Sequence, residues 1–176
     1  MRLFVARHGQ TTWNAQNKIC SITDVDLTEK GIEQAHLLAL SVKEQDIDII
    51  ISSPLNRAVA TSRIVSDECN IPMKIDERLI EQDYGIFEGA DGKDEDFLNH
   101  KRNFAYKYPN GESMMQVAYR VYGLLEEIKK DYCDKNILIV SHGGVCRIIN
   151  TYFRDMTNEE FFNYRLENGK LEEYVI

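Results

Sequence analysis

The feature that most constrains this chain is a repeated pairing: a short apolar run, then a stretch of helical periodicity. Arg2-Leu3-Phe4-Val5-Ala6, Ile47–Ser52 (IDIIIS) and Asn136–Ser141 (NILIVS) have strand length and are rich in branched residues. Strands that read as near-continuous apolar runs are buried on both faces, as in parallel sheets covered by helices on both sides. The segments between them carry apolar residues at helical spacing. Ile32, Ala35, Ala39 and Val42 share one face; Met114, Val117, Ala118, Val121, Leu125 and Ile128 share another; Val145, Ile148, Ile149, Tyr152, Phe153 and Met156 form a third. The expectation is an α/β fold of three layers, a mostly parallel sheet flanked by helices. At 176 residues it fits one domain, 1–176.

Local signals punctuate this plan. Thr28 is placed to cap a helix, with Leu27 and Ile32 spaced as a hydrophobic staple. Ser53-Pro54 reads as an N-cap followed by a proline at the first helical position. A short strand is expected near Met73–Ile75, a helix over about Ser113 to Lys130, and a short helix after Thr157. The stretch from about 80 to 110 is irregular and reads as an insertion, with Gly85, Gly89 and Gly92 in it. Asn168-Gly169 between two strand-like runs is a hairpin signal, which would add an antiparallel edge near the C-terminus.

Composition narrows the function classes. The 29 acidic against 21 basic residues give a formal charge of −8, with no Lys/Arg cluster to offset it. Such a chain repels nucleic acid and anionic membranes at long range. No apolar run approaches the ~20 residues that span a bilayer. The opening MRLFVARHGQ is too short an apolar stretch for a signal peptide, so a cytoplasmic location is expected. Cys20, Cys69, Cys133 and Cys146 form no CxxC pair, which argues against a zinc ribbon or a redox motif and for reduced thiols.

The chemistry gathers where the three strands end. The first runs into Arg7-His8-Gly9, the second into Ser52-Ser53-Pro54-Leu55-Asn56-Arg57, the third into Ser141-His142-Gly143-Gly144. Ligands of open α/β sheets bind at the carboxyl ends of the strands. Parallel strands would bring these residues together. Phosphoryl transfer needs a nucleophile, and neutral imidazole serves near pH 7. It needs fixed positive charge around the equatorial oxygens, which arginine supplies in a planar fork. It needs free backbone N–H groups, and a helix starting at Gly143-Gly144 offers them. It also needs an acid for the leaving oxygen, and these residues alone do not single one out.

RHGQTTWN at Arg7–Asn14, SSPLNRA at Ser52–Ala58, LIEQDYGIFEG at Leu79–Gly89 and VSHGGV at Val140–Val145 resemble the signature of the histidine phosphatase superfamily, the group that includes the cofactor-dependent phosphoglycerate mutases. LTEKG at Leu27–Gly31 and PNGES at Pro109–Ser113 are similar too, so the resemblance runs in order over nearly the whole chain. It implies that His8 is the nucleophile, that Arg7 and Arg57 clamp the phosphoryl group, and that His142 is a further donor beside it. It implies that Asn14 holds a phosphate oxygen, beside the N–H that a helix start at Gly143 would offer, and that Glu81 is the general acid. No metal or cofactor is implied, and the partner would be a small phosphorylated metabolite. The chain departs from the family pattern at Cys20-Ser21, where Gln-Gly is common, at Asp26 in place of proline, and at Phe87 in place of tryptophan. Cys20 and Ser21 would lie at the substrate rim. A phosphatase is expected, because the mutases carry longer covering segments than about 80–110 provides. A mutase and a non-catalytic anion-binding protein are the alternatives.

Overall fold

The computed structural model describes residues 1–175. Five strands form one sheet in the order β3-β2-β4-β1-β5. They are β1 (Arg2–Arg7), β2 (Ile49–Ser52), β3 (Met73–Ile75), β4 (Ile137–Ser141) and β5 (Leu171–Val175). The first four are mutually parallel, and β5 runs antiparallel to β1 at one edge. The helices are α1 (Thr12–Ala15), α2 (Glu29–Lys43), α3 (Asn56–Cys69), α4 (Glu95–Lys101), α5 (Met114–Asp131), α6 (Gly143–Phe153) and α7 (Asn158–Asn163). No helix is long and apolar enough to cross a membrane among the described residues.

The apolar runs of β1, β2 and β4 are explained by two cores, one on each face. Leu3, Val5, Ile51, Ile137 and Ile139 pack with α5 and α6; Phe4, Ala6, Ile50, Leu138 and Val140 pack with α2 and α3. Successive side chains point to opposite faces, so each strand feeds both layers. In register, Arg7 lies opposite Ser141, and Ser52 opposite Val140, so the three strands end side by side. The ends are further tied by His8 N–H to Ser141 O and Ser53 N–H to Val140 O, both 3.0 Å.

Several local expectations are corrected. The inner face of α2 is Gly31, Ala35, Leu38, Ala39 and Val42, while Ile32 is 43% exposed. A Cβ at Gly9 would stand 2.2 Å from Gly31 O. This close approach turns Gly31 inward and Ile32 outward. Helix α3 starts at Asn56 with Leu55 as its N-cap and no side-chain cap; the Ser53 hydroxyl accepts from His142 Nε2–H and from Leu55 N–H instead. Met156 lies beyond the end of α6. The stretch 80–110, expected to be irregular, contains α4, capped by Asp94. Asn168-Gly169 makes no hairpin. Gly169 does adopt a positive φ of 70°, but β5 pairs with β1, and no strand precedes the turn. The antiparallel edge is there through a different partner.

Candidate active site

At the carboxyl ends of the strands lies a cavity of about 240 Å³. Arg7, His8, Asn14, Cys20, Glu81, Gly143 and Gly144 line it, together with Tyr84, Lys18, Lys101, Arg147 and Arg165. Arg57 and His142 are not on its wall. Their rings and guanidinium stand beside His8, with the two imidazole centroids 5.0 Å apart.

His8 is buried, and its Nδ1 lies 2.7 Å from its neighbour's carbonyl, Gly9 O. A carbonyl only accepts, so Nδ1 carries the proton and Nε2 keeps a free lone pair. Burial, then the charges of Arg57 and Arg7, hold the imidazole well below its ordinary pKa, so the ring is neutral at pH 7. His142 is held down in the same way, by burial first and then by Arg57. Its Nδ1 accepts from Arg57 Nε at 3.2 Å, so its Nε2–H donates to Ser53 Oγ at 2.6 Å. In this arrangement His142 has no ring nitrogen left for a phosphate oxygen, in contrast to the donor role expected for it.

Arg57 is completely enclosed. Its Nη1 and Nη2 donate to Thr23 O and Ser21 O at 2.9 and 2.6 Å. Ser21 is therefore not a rim residue: it is wholly buried, and its backbone orients Arg57 while its hydroxyl donates to Gln82 O. Cys20 does line the cavity, its thiol pushed up to about 11 by burial. Arg7 spends one nitrogen on Leu166 O at 3.2 Å, whereas its buried Nε has no partner. An orphaned, buried, cationic donor at the floor of a cavity fits an absent anion. Gly143 opens α6, and the first N–H of a helix has no acceptor within it. Asn14 accepts from Thr11 N–H and from Asn168 Nδ2, which leaves its own amide hydrogens uncommitted.

Glu81 reaches the cavity from the loop after Leu79. Its carboxylate accepts from Gln82 N–H at 2.8 Å and Gly144 N–H at 3.0 Å. The loop is braced by Arg120, which donates to Arg78 O and Glu81 O and pairs with Glu112 at 3.0 Å. Glu112 of the PNGES stretch also receives Asp83 N–H. The motif thus acts on Glu81 through its backbone.

Sequence reasoning missed Asn168, Lys101, Arg147 and Arg165. Asn168 donates to His8 O at 2.9 Å and so steadies the turn that carries the imidazole. Its Asn-Gly signal marks the turn but not this hydrogen bond. Arg147 is legible as a lone charge in the apolar helix GGVCRIIN, since a largely buried arginine needs a reason.

The model of the histidine phosphatase superfamily (branch 1) matches residues 3–176. The chain belongs to this superfamily. Phosphoserine phosphatase 1 of Hydrogenobacter thermophilus is 29% identical, the match covering 96% of this chain and 83% of the relative. GpmB of Yersinia pestis (strain Pestoides F), named a probable phosphoglycerate mutase, is 35% identical over 81% of this chain and 70% of its own. Among solved structures, the alpha-ribazole phosphatase from Shigella flexneri superposes with a TM-score of 0.85 at 28% identity, covering 98% of this chain and 89% of that one. The solved relative therefore shares its fold with nearly the whole of this chain.

Proposed function

We propose that this chain is a phosphatase that hydrolyses small phosphomonoesters through a phosphohistidine on His8. The observation that carries this reading is the state of the His8 ring. It is neutral, its Nδ1–H is fixed on Gly9 O, and its Nε2 lone pair is free beside a cavity with an orphaned arginine donor. Relatives named as phosphoserine and alpha-ribazole phosphatases support hydrolysis of phosphate esters. The cavity volume is at or below the low end of small-molecule sites, about 300 Å³, and so favours a small metabolite over a polymer. Free thiols at Cys20, Cys69, Cys133 and Cys146 fit a reducing compartment such as the cytoplasm.

In the first half-reaction His8 Nε2 attacks phosphorus and the ester P–O bond breaks. The leaving oxygen takes a proton from the Glu81 carboxyl. Arg7, Arg57, Asn14 and the Gly143 N–H receive the charge that spreads over the equatorial oxygens. In the second half Glu81, now a carboxylate, takes a proton from water. That water attacks phosphorus, the P–N bond breaks, and inorganic phosphate leaves with His8 neutral again. His142 acts through others: it accepts from Arg57 and fixes the guanidinium beside His8. The scheme draws on no metal.

The test is hydrolysis of p-nitrophenyl phosphate in excess chelator, with wild type beside His8→Ala. Turnover is expected to survive chelation and to fall at least ~10³-fold in the variant. Rapid quenching should trap an acid-labile, alkali-stable phosphate on the wild-type protein only. Full activity in His8→Ala would end the assignment.

A further inference from the structure

We propose that Lys101, Arg147 and Arg165 form a second anion subsite beside the phosphoryl site, so that the preferred substrates are phosphomonoesters carrying a further carboxylate or phosphate. This inference rests on the phosphatase reading above and names its substrate class.

The argument is one of charge. A phosphoryl dianion is matched by Arg7 and Arg57. Lys101 from α4, Arg147 from α6 and Arg165 from the segment after α7 face the same cavity, and among the described residues Glu81 is the only carboxylate on its wall. The chain has 29 acidic residues, so partners are abundant elsewhere. Yet Lys101 and Arg147 make no ion pair among the described residues, and Arg165 meets only Glu167, in an exposed pair of the kind worth little. Arg147 is also rigid. Its Nε and Nη2 donate to Tyr164 O at 3.3 and 3.2 Å, and its guanidinium lies over the Phe161 ring at 5.4 Å. Its Nη1 is left uncommitted. The Lys101 ammonium, brought down to about 8 by burial and then by Arg147, feels both like charge and loss of water. Three cations from three separate elements, held near one another with only the exposed Glu167 and the wall's Glu81 as counter-charges, raise the energy of the folded chain. A bound anion relieves that repulsion. Because the cations and His8 share one small cavity, the anion and the scissile phosphate belong to one molecule.

The experiment compares matched substrates. 3-Phosphoglycerate and glycerol 3-phosphate differ in a carboxylate; fructose 1,6-bisphosphate and fructose 6-phosphate differ in a phosphate. In wild type, kcat/KM should favour the more charged member of at least one pair by about tenfold or more, and the pair that responds tells carboxylate from phosphate. Lys101→Gln should reduce that ratio by about tenfold, mainly through KM, and Lys101→Arg should restore most of it. Ratios near one in wild type, or a ratio unmoved by both Lys101→Gln and Arg165→Gln, overturn the subsite. If wild type turns over neither these substrates nor p-nitrophenyl phosphate, the phosphatase reading fails instead. The subsite is then read by binding: 3-phosphoglycerate or fructose 1,6-bisphosphate should raise the melting temperature of wild type more than that of Lys101→Gln, and equal shifts with both overturn it.

Discussion

Two buried neutral histidines side by side make the stability of this fold depend on pH in a calculable way. His8 and His142 are 3% and 1% exposed, and both are held well below the ordinary imidazole pKa, chiefly by burial and then by Arg57. In the unfolded chain each recovers a pKa near 6.5. Below that value the unfolded state binds protons that the folded state refuses, so stability falls as pH falls. Their contribution is unchanged above about pH 7.5. Between pH 7.5 and 5.5 each histidine should remove roughly 1–2 kcal/mol, a large share of the ~5–15 kcal/mol of a typical domain when the pair is taken together. The assay is urea unfolding at pH 7.5, 6.5 and 5.5 for wild type, His8→Gln, His142→Gln and the double variant. His36 and His100 are present in all four proteins and cancel in the differences. Each single variant should lose about half of the acid-side slope, and the double variant nearly all of it. Carboxylates held low, such as Asp76 beside Arg78, lose their contribution only as pH falls through the carboxylate range, outside this window. A wild-type midpoint that is flat from pH 7.5 to 5.5, or a slope identical in wild type and double variant, would refute the neutral-pair reasoning.

Other perturbations probe the supports of the site. At Gly144 a Cβ would stand 2.5 Å from Glu81 Oε1 and 3.0 Å from the Tyr84 hydroxyl. Gly144→Ala should therefore displace the acid and lower kcat ~10²-fold or more on an alkyl phosphate such as glycerol 3-phosphate, with a smaller loss on p-nitrophenyl phosphate, whose leaving group needs little protonation. Equal losses on both would mean that the damage lies elsewhere. Asn168→Ala removes donors to His8 O and Asn14 Oδ1. A loss of about 1 kcal/mol in urea unfolding is expected, with kcat/KM falling because the His8 turn loosens; unchanged kinetics would confine Asn168 to a purely structural role.

How much of this was legible in the sequence depends on which interactions decide each feature. The strands were legible because burial on both faces demands unbroken apolar runs, and the residues after them were legible because a parallel sheet has one carboxyl edge. Features set by packing between distant segments were not. Nothing local in LIEQDYG marks Glu81 among 29 acids; its place is fixed by Gly144 N–H, Arg120 and Glu112, from 31 to 63 residues away along the chain. Ser53 looks like a helix cap, but its hydroxyl serves a buried imidazole and the Leu55 N–H, and α3 starts two residues later than that cap implies, at Asn56. Asn168-Gly169 correctly signals a left-handed backbone, but strand pairing is decided by the open edge of β1.

The acidic composition and the basic cavity look contradictory only if charge is summed over the whole chain. At physiological ionic strength the Debye length is about 8 Å, so scattered surface carboxylates act weakly on an anion at the cavity mouth. Arg7, Lys18, Lys101, Arg147 and Arg165 on the wall, with Arg57 behind, act within it and in a poorer dielectric. Net charge therefore sets the field of the outer surface, while the local cations set the field inside the cavity. The two fields scale differently with salt. As salt is lowered, screening is lifted from both, and the repulsive outer field gains range faster than the buried one gains strength. Capture of a doubly anionic substrate should then rise less steeply toward low salt than the six cations alone would require, and the shortfall measures the opposition of the acidic surface.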